Sequence, residues 1–435
     1  MTLTYLTNTY EEDYKAHLEL FKKRNVDVVV CDHIFMACID AAYTMDIPFI
    51  TTMAVTMCND GTAPYTNDDM STRFDPTTLH ESFSTRFYNT FISPLYVVWN
   101  IYPELRALAK AKERAGAEPD NGHPNARWVD SVKLINNVFG LESPRPVGPL
   151  VELIGPIIPR KYQPLTDDLK QYLDSHSRVA YVAFGQYAAP TVDSLTKILT
   201  ALLENIEQGS LDGFLWATVS STKNFPETVT TSSRTTYLVA DMFNNVEPHA
   251  RMIKWAPQYA VLHHPSTVIF VSHGGAGSMH ESLFAGKRLV IFPIFIDQPG
   301  NAWTIEQKQL GSRFDRDTPQ YKMTEIIRKV ALDEDGQMQS NVERYKALVQ
   351  IRSKHGVIRG ADAVEEVAFL QQNGKVPHRY EVAREMSYIK AHNIDLYVVF
   401  FLILSIPLIG LYKIITIFVS MTIQTIHHQK KLKSL

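Results

Sequence analysis

Residues 267–278 read TVIFVSHGGAGS, and this stretch decides the fold class. Residues 267–271 are β-branched or aromatic, which suits a strand buried on both faces. Gly274, Gly275 and Gly277 follow, so the chain can turn tightly and an anion can approach the backbone. Residues 278–285 read as a helix. A helix N-terminus offers unpaired N–H groups and the positive end of its dipole, the two things a phosphate needs. Ser278 reads either as the N-cap or as a phosphate donor; with Glu281 three residues on, a plain capping box accounts for the pair equally well. The loop is not the G-x-G-x-x-G dinucleotide pattern.

Working outward, residues 179–184 (VAYVAF), 213–219, 253–255 and 288–293 read as further strands, and 191–207 as a helix. Towards the N-terminus, 27–31 (DVVVC) is a strand ending at Asp32, 34–44 a helix and 47–52 the next strand. Strands alternating with helices predict parallel α/β sheets. Residues 60–80 read as loop. Residues 81–115 read as helix and carry Phe83, Phe87, Tyr88, Phe91, Tyr96 and Trp99, a stripe expected in the core, although an apolar acceptor pocket or a membrane would suit it as well. Residues 142–168 hold six prolines and read as an extended linker.

Composition narrows the class. The net charge of −3 excludes the basic stripe of a nucleic-acid binder. Cys31, Cys38 and Cys58 form no CxxC pair, so neither a metal knuckle nor a disulfide scaffold is signalled. The N-terminus lacks the pattern of a signal peptide. Residues 394–411 (IDLYVVFFLILSIPLIGL) are apolar over a length that crosses a bilayer, and a second apolar run follows Lys413. One tilted helix over 394–426 accommodates both. The tail has Lys430, Lys431 and Lys433, which favours the cytosolic side and resembles a dilysine retrieval signal. The expected layout is a partial acceptor-binding α/β domain at 1–150, a linker at 151–175 and a second α/β domain at 176–375. A juxtamembrane helix at 376–393, a transmembrane segment at 394–426 and a basic tail at 427–435 complete it.

The run Trp255-Ala256-Pro257-Gln258, with Leu262, His264, Phe270, the His273–Ser278 loop, Glu281, Gly286, Pro293 and Asp297-Gln298, resembles the signature of the UDP-glycosyltransferases. The resemblance implies a GT-B fold of two Rossmann-like domains and a UDP-sugar co-substrate, with no metal and no other cofactor. It implies that Trp255 stacks on uracil and Gln258 helps position base and ribose. Glu281 then bonds the ribose hydroxyls, and His273, Gly275, Gly277 and Ser278 hold the diphosphate. Asp297 and Gln298 bond the hydroxyls of the donor sugar. Gly277 stands where many members have Asn, and Gln186 where the family usually has Ser.

On the acceptor side the resemblance implies further β-α units ahead of residue 27, so the N-terminal domain is expected to be incomplete. Asp32 matches the family's orienting acid. The family's catalytic His is not identified. His17 lies in a helical polar stretch, and His33 adjoins Asp32, but neighbouring strand residues point to opposite faces, which argues against a His33–Asp32 pair. Two functions stay open: an inverting hexosyltransferase of the endoplasmic reticulum membrane, acting on small lipophilic hydroxyl acceptors, or a non-catalytic UDP-sugar-binding relative or partner subunit. The oligomeric state is left open.

Overall fold

The computed structural model describes residues 2–56, 58, 63, 65–67, 75–119, 127–186, 190–219, 221 and 224–432. They divide into two compact units, Met1–Pro377 and His378–Leu435.

The first unit holds two parallel sheets. The smaller has the order β1-β2-β3-β4, with β1 Val29–Asp32, β2 Phe49–Met53, β3 Val132–Ile135 and β4 Val151–Leu153. Helices α1 (Thr2–Arg24), α2 (Met36–Thr44), α3 (Phe83–Phe87) and α4 (Ser93–Ala115) accompany it. A buried ionic cluster ties three of these helices together. Asp40 on α2 accepts from the Tyr10 hydroxyl of α1 at 2.5 Å and pairs with Lys112 of α4 at 2.9 Å and with Arg127 at 3.1 Å. A carboxylate this deep is tolerable because opposite charges and a hydroxyl surround it.

After α5 (Asp167–Asp174) comes the larger sheet. It is built in chain order from β5 (Val179–Ala183), α6 (Val192–Glu207), β6 (Gly213–Ala217), the hairpin β7 (Thr228–Thr230) and β8 (Thr236–Leu238), and α7 (Val239–Phe243). Then follow β9 (Ala250–Ile253), α8 (Gln258–His263), β10 (Thr267–Ser272), α9 (Ala276–Ala285), β11 (Arg288–Ile291), α10 (Gln298–Gln307) and β12 (Gly311–Arg313). Its order is β12-β11-β10-β5-β6-β9, parallel throughout. Every residue of β5 is buried, with Ala180 and Val182 in one apolar cluster and Val179, Tyr181 and Ala183 in another. Strand alternation thus feeds a core on each face, and the uninterrupted VAYVA run is its sequence trace.

Helices α11 (Gln320–Leu332), α12 (Gln337–Ser353) and α13 (Gly356–Leu370) close the unit. The last of these returns to the first sheet. Arg359 donates through Nε to the Ile154 carbonyl at 3.1 Å, and Arg352 of α12 donates to that of Leu153 at 2.9 Å. A Cβ on Gly356 would stand 3.1 Å from the Ile154 oxygen, so a side chain there would crowd this approach.

Several expectations change here. The stretch 151–175 carries β4 and α5 at its ends, which leaves 154–166 as an extended strap. The strand β4 escapes a sequence reading because it is three residues long and set among prolines. The aromatic stripe is not core: Phe83, Phe87, Tyr88, Phe91, Tyr96 and Trp99 are all exposed, Trp99 at 82%. Cys31 and Cys38 form a disulfide across the turn between β1 and α2, which no spacing pattern announced. The segment expected as loop, 60–80, lies partly outside the described residues, and its described part pairs Thr66 with Thr77.

The stretch 376–393, which leads into the second unit, is a pair of 3-10 turns and the short α14 (Tyr388–Ala391) rather than one helix. The helix α15 (Ile394–Leu432) is continuous through Lys413 and Pro407, and its stretch Ile394–Ile423 is apolar and long enough to cross a membrane. Lys433 of the dilysine pattern lies outside the described residues.

Candidate donor and acceptor site

The C-terminal ends of β5 and β6, the loops after β5, β6 and β9, and Ser278 and Glu281 of α9 line a cavity of about 380 Å³. Ligand clefts of parallel α/β sheets lie at this end of the strands. Trp255, 57% exposed, lines it from the loop after β9. Three polar side chains meet beside it. Gln258, the first residue of α8, donates through Nε2 to Glu281 Oε2 at 2.7 Å and to the Ser278 hydroxyl at 3.3 Å. The buried Tyr181 hydroxyl approaches Gln258 Oε1 at 3.5 Å. Burial pushes the Glu281 carboxyl above its usual range, and the Gln258 bond partly offsets this.

The glycine loop carries its conformation in its glycines. Gly274 has φ +84°, and a Cβ on it would lie 2.6 Å from Ile291 Cγ2. Gly275, at φ −61° and ψ 139°, is the N-cap of α9. Ser278 therefore lies inside the helix and turns to Gln258, so the capping-box reading of Ser278 and Glu281 does not hold. The imidazole of His273 packs against the loop: a Cβ on Gly275 would be 2.5 Å from its Nε2, and one on Gly185 3.1 Å from its Cε1. Burial holds the His273 pKa down to about 4, with a backbone hydrogen bond at Ala183 acting the other way. His273 is thus neutral at physiological pH, with its one N–H turned to the Ala183 backbone, and it brings no charge to the loop. Gly277 faces open space, and Gln186 lines the cavity where a Ser was expected.

Asp297 stands at the N-cap of α10 without capping it. Its carboxylate instead accepts from Asn301 Nδ2 at 2.8 Å, while Asn301 also donates to the Gly274 carbonyl at 2.9 Å. Burial raises its pKa, opposed by hydrogen bonds from its own N–H, Asn301 and the Ala276 N–H, and by the nearby imidazole of His33. Gln298 is buried, and its Oε1 accepts from the N–H groups of Ile294 and Phe295 at 2.8 and 3.0 Å, so its side chain shapes the turn that presents Asp297. Asn301 was not anticipated; its sequence signal is its position four residues after Asp297 on one helix face.

His33 is the largest revision. Its Nδ1 lies 3.3 Å from Asp32 Oδ1 and 3.3 Å from the Thr52 carbonyl oxygen. The alternation that argued against the pair stops at Asp32, where the strand ends. The Asp32 carboxylate accepts from the Ile34 N–H at 3.0 Å, and the Phe35 N–H donates to the Asp32 carbonyl at 2.9 Å. This Asx-type turn swings His33 back over the carboxylate. Burial raises the Asp32 pKa, but the bonds from His33 and Ile34 outweigh it, and the carboxyl sits below its usual value. His17 lies on α1 with its Nδ1 2.6 Å from the Asp13 carbonyl oxygen and its ring against Phe21 and Phe35.

A family model described as "UDP-glucoronosyl and UDP-glucosyl transferase" matches residues 13–432. The chain is 29% identical over 422 residues to UDP-glycosyltransferase 1 of Phaeomoniella chlamydospora, which covers 92% of this chain and 83% of that one. It is 31% identical over 300 residues to UDP-glycosyltransferase FPY2 of Fusarium mangiferae, covering 67% of this chain and 53%, just over half, of that one. In fold it is similar to the crystal structure of the glycotransferase of kitacinnamycin, with a TM-score of 0.58, 16% identity and 83% and 81% of the two chains covered. The two parallel sheets thus form an α/β glycosyltransferase fold of the GT-B kind.

Proposed function

We infer the reaction from one premise: the chain belongs to the family of UDP-glucoronosyl and UDP-glucosyl transferases. It transfers a hexosyl group from a UDP-sugar to a hydroxyl of a small lipophilic acceptor, with inversion at the anomeric carbon. The observation that carries this reading is the meeting of Trp255, Gln258, Ser278 and Glu281 in one cavity. An exposed indole offers a stacking face to uracil. Glu281, already accepting from an amide, can accept from two ribose hydroxyls. The α9 N-terminus and the loop amides receive the diphosphate, with neutral His273 packed against the loop and its one N–H turned to the Ala183 backbone. Asp297 takes hydroxyls of the hexose, and the amide nitrogen of Gln298 assists.

His33 is the base in this reading. Hydrogen bonding of Nδ1–H towards Thr52 and Asp32 leaves the lone pair on Nε2. Nε2 takes the acceptor's proton as its oxygen bonds to the anomeric carbon. The bond from that carbon to the diphosphate oxygen breaks, and UDP leaves with the electron pair. Asp32 stabilises the imidazolium, and loop amides aimed at the developing negative charge favour departure.

The chain is membrane-anchored through α15, with the first unit in the lumen of the endoplasmic reticulum. The Cys31–Cys38 disulfide supports that side, because such bonds persist in oxidising compartments. The test is UDP release from UDP-glucose with a phenol or sterol acceptor. His33→Ala lowers kcat by about 10²–10⁴ and leaves UDP affinity unchanged. Trp255→Ala weakens UDP binding. UDP binding by the wild-type chain with no turnover favours the non-catalytic reading, and no UDP binding sinks both.

A further inference from the structure

We infer that Tyr162 is a second aromatic wall of the nucleobase slot, so that the strap joining the two sheets takes part in binding the donor's base. This rests on the reading of the cavity beside Trp255 as the UDP-sugar site. Tyr162 lies in the strap 154–166, which no signature position covers, yet it lines the same cavity as Trp255, Gln258 and Glu281. Both rings stand open: Tyr162 is 48% exposed and Trp255 57%. Two half-exposed aromatic rings on one cavity whose polar groups are already grouped at Glu281 fit a flat, apolar-faced ligand such as a pyrimidine.

The tyrosine is also held in place. Its ring centroid is 4.5 Å from that of Tyr259 and 5.8 Å from that of His263, nearly parallel to the latter at 23°. Tyr259 and His263 in turn lie 4.3 Å apart on α8. The helix that starts with Gln258 therefore carries both the amide that reaches Glu281 and the rings that seat Tyr162. A base entering the slot meets a wall fixed before binding, so little rotamer entropy is lost on contact. Stacking tolerates any planar base, so Tyr162 adds affinity for the nucleobase, while choice among bases falls to hydrogen bonds.

The test measures UDP and ribose 5-diphosphate binding by calorimetry on the full chain, for wild type, Tyr162→Leu, Tyr162→Phe and Trp255→Ala. Leucine keeps apolar contact with Tyr259 and removes the stacking face; phenylalanine keeps the face and removes the hydroxyl. The expected result is UDP affinity lowered about 5- to 20-fold by Tyr162→Leu and nearly unchanged by Tyr162→Phe. Affinity for ribose 5-diphosphate, which has no base, stays the same in all Tyr162 variants. A purely structural role would weaken both ligands alike and overturns the inference. Wild-type UDP affinity in Tyr162→Leu together with weakened binding in Trp255→Ala also overturns it, while leaving the donor-site reading intact. Absence of UDP binding by the wild-type chain overturns that reading itself, and this inference with it.

Discussion

Gly275→Ala isolates the steric side of the glycine loop. The backbone at φ −61° and ψ 139° is one that alanine adopts freely, so no torsional strain enters. The added methyl carbon would sit 2.5 Å from Nε2 of His273, 3.2 Å from Cε1 and 3.3 Å from Cδ2. Ordinary contact needs about 3.5 Å or more, so the imidazole has to move by roughly 1 Å. Room to move is limited, because Gly185 borders the same edge of the ring: a Cβ there would lie 3.1 Å from Cε1 and 3.2 Å from Nε2. Overpacking of this kind costs about 1–3 kcal/mol of stability. A glycine loop pushed aside by the crowded ring loses a hydrogen bond from a backbone amide to a charged oxygen, which weakens UDP binding about 10- to 100-fold. Gly277→Ala is the control for packing: nothing lies within 4 Å of a Cβ there, and stability stays at the wild-type value. Thermal unfolding and calorimetric UDP titration of the two variants read the contrast. Equal behaviour of the two refutes the packing of His273 between Gly185 and Gly275.

Asn301→Ala removes the donor shared by Asp297 and the Gly274 carbonyl, so KM for the UDP-sugar rises about tenfold while UDP itself binds as before. Stability falls as the pH drops from about 6.5 towards 4. His273 and His280 are each held near a pKa of about 4 by burial, so the unfolded chain takes up their protons first. Each histidine contributes roughly 3 kcal/mol that is complete above 6.5 and gone near 4, with Glu281 and Asp297, raised by burial, opposing at the lower edge. Urea unfolding across that range reads the slope, and His280→Leu halves it; a flat profile is the contrary result. Replacing Cys31 and Cys38 together by Ser costs about 2–3 kcal/mol by the loop-entropy relation. Because the bond brackets Asp32 and His33, turnover drops while UDP affinity holds, which a paired rate and binding measurement checks.

The larger sheet was legible because its strands are continuous apolar runs, the trace of burial on both faces. The side chains that meet in its cavity were legible only as a set: the Gln258–Glu281 bond joins residues on two helices, and nothing in either segment alone announces it. The Asp32–His33 pair was misjudged because alternation is a rule for strands, and the strand stops one residue earlier than the rule needs. The exposed helix from Phe83 to Trp99 was misjudged because aromatic content reports apolar surface, not what covers it. The strand β4 and the return of α13 were hidden for one reason: both depend on contacts with distant chain rather than on local pattern.

The return of α13 has a consequence for the order of events during synthesis. The strands β2 and β3 leave the ribosome long before the helix that packs beside them. Between residues 53 and 356 lie roughly 300 residues, which at about 5–20 residues per second takes some 15–60 s. For the last roughly 200 of those residues the end of β4 lacks the guanidinium groups that satisfy the carbonyls of Leu153 and Ile154. The smaller sheet is therefore finished late, and a nascent chain stalled before residue 356 leaves β2 and β3 without the helix that packs beside them.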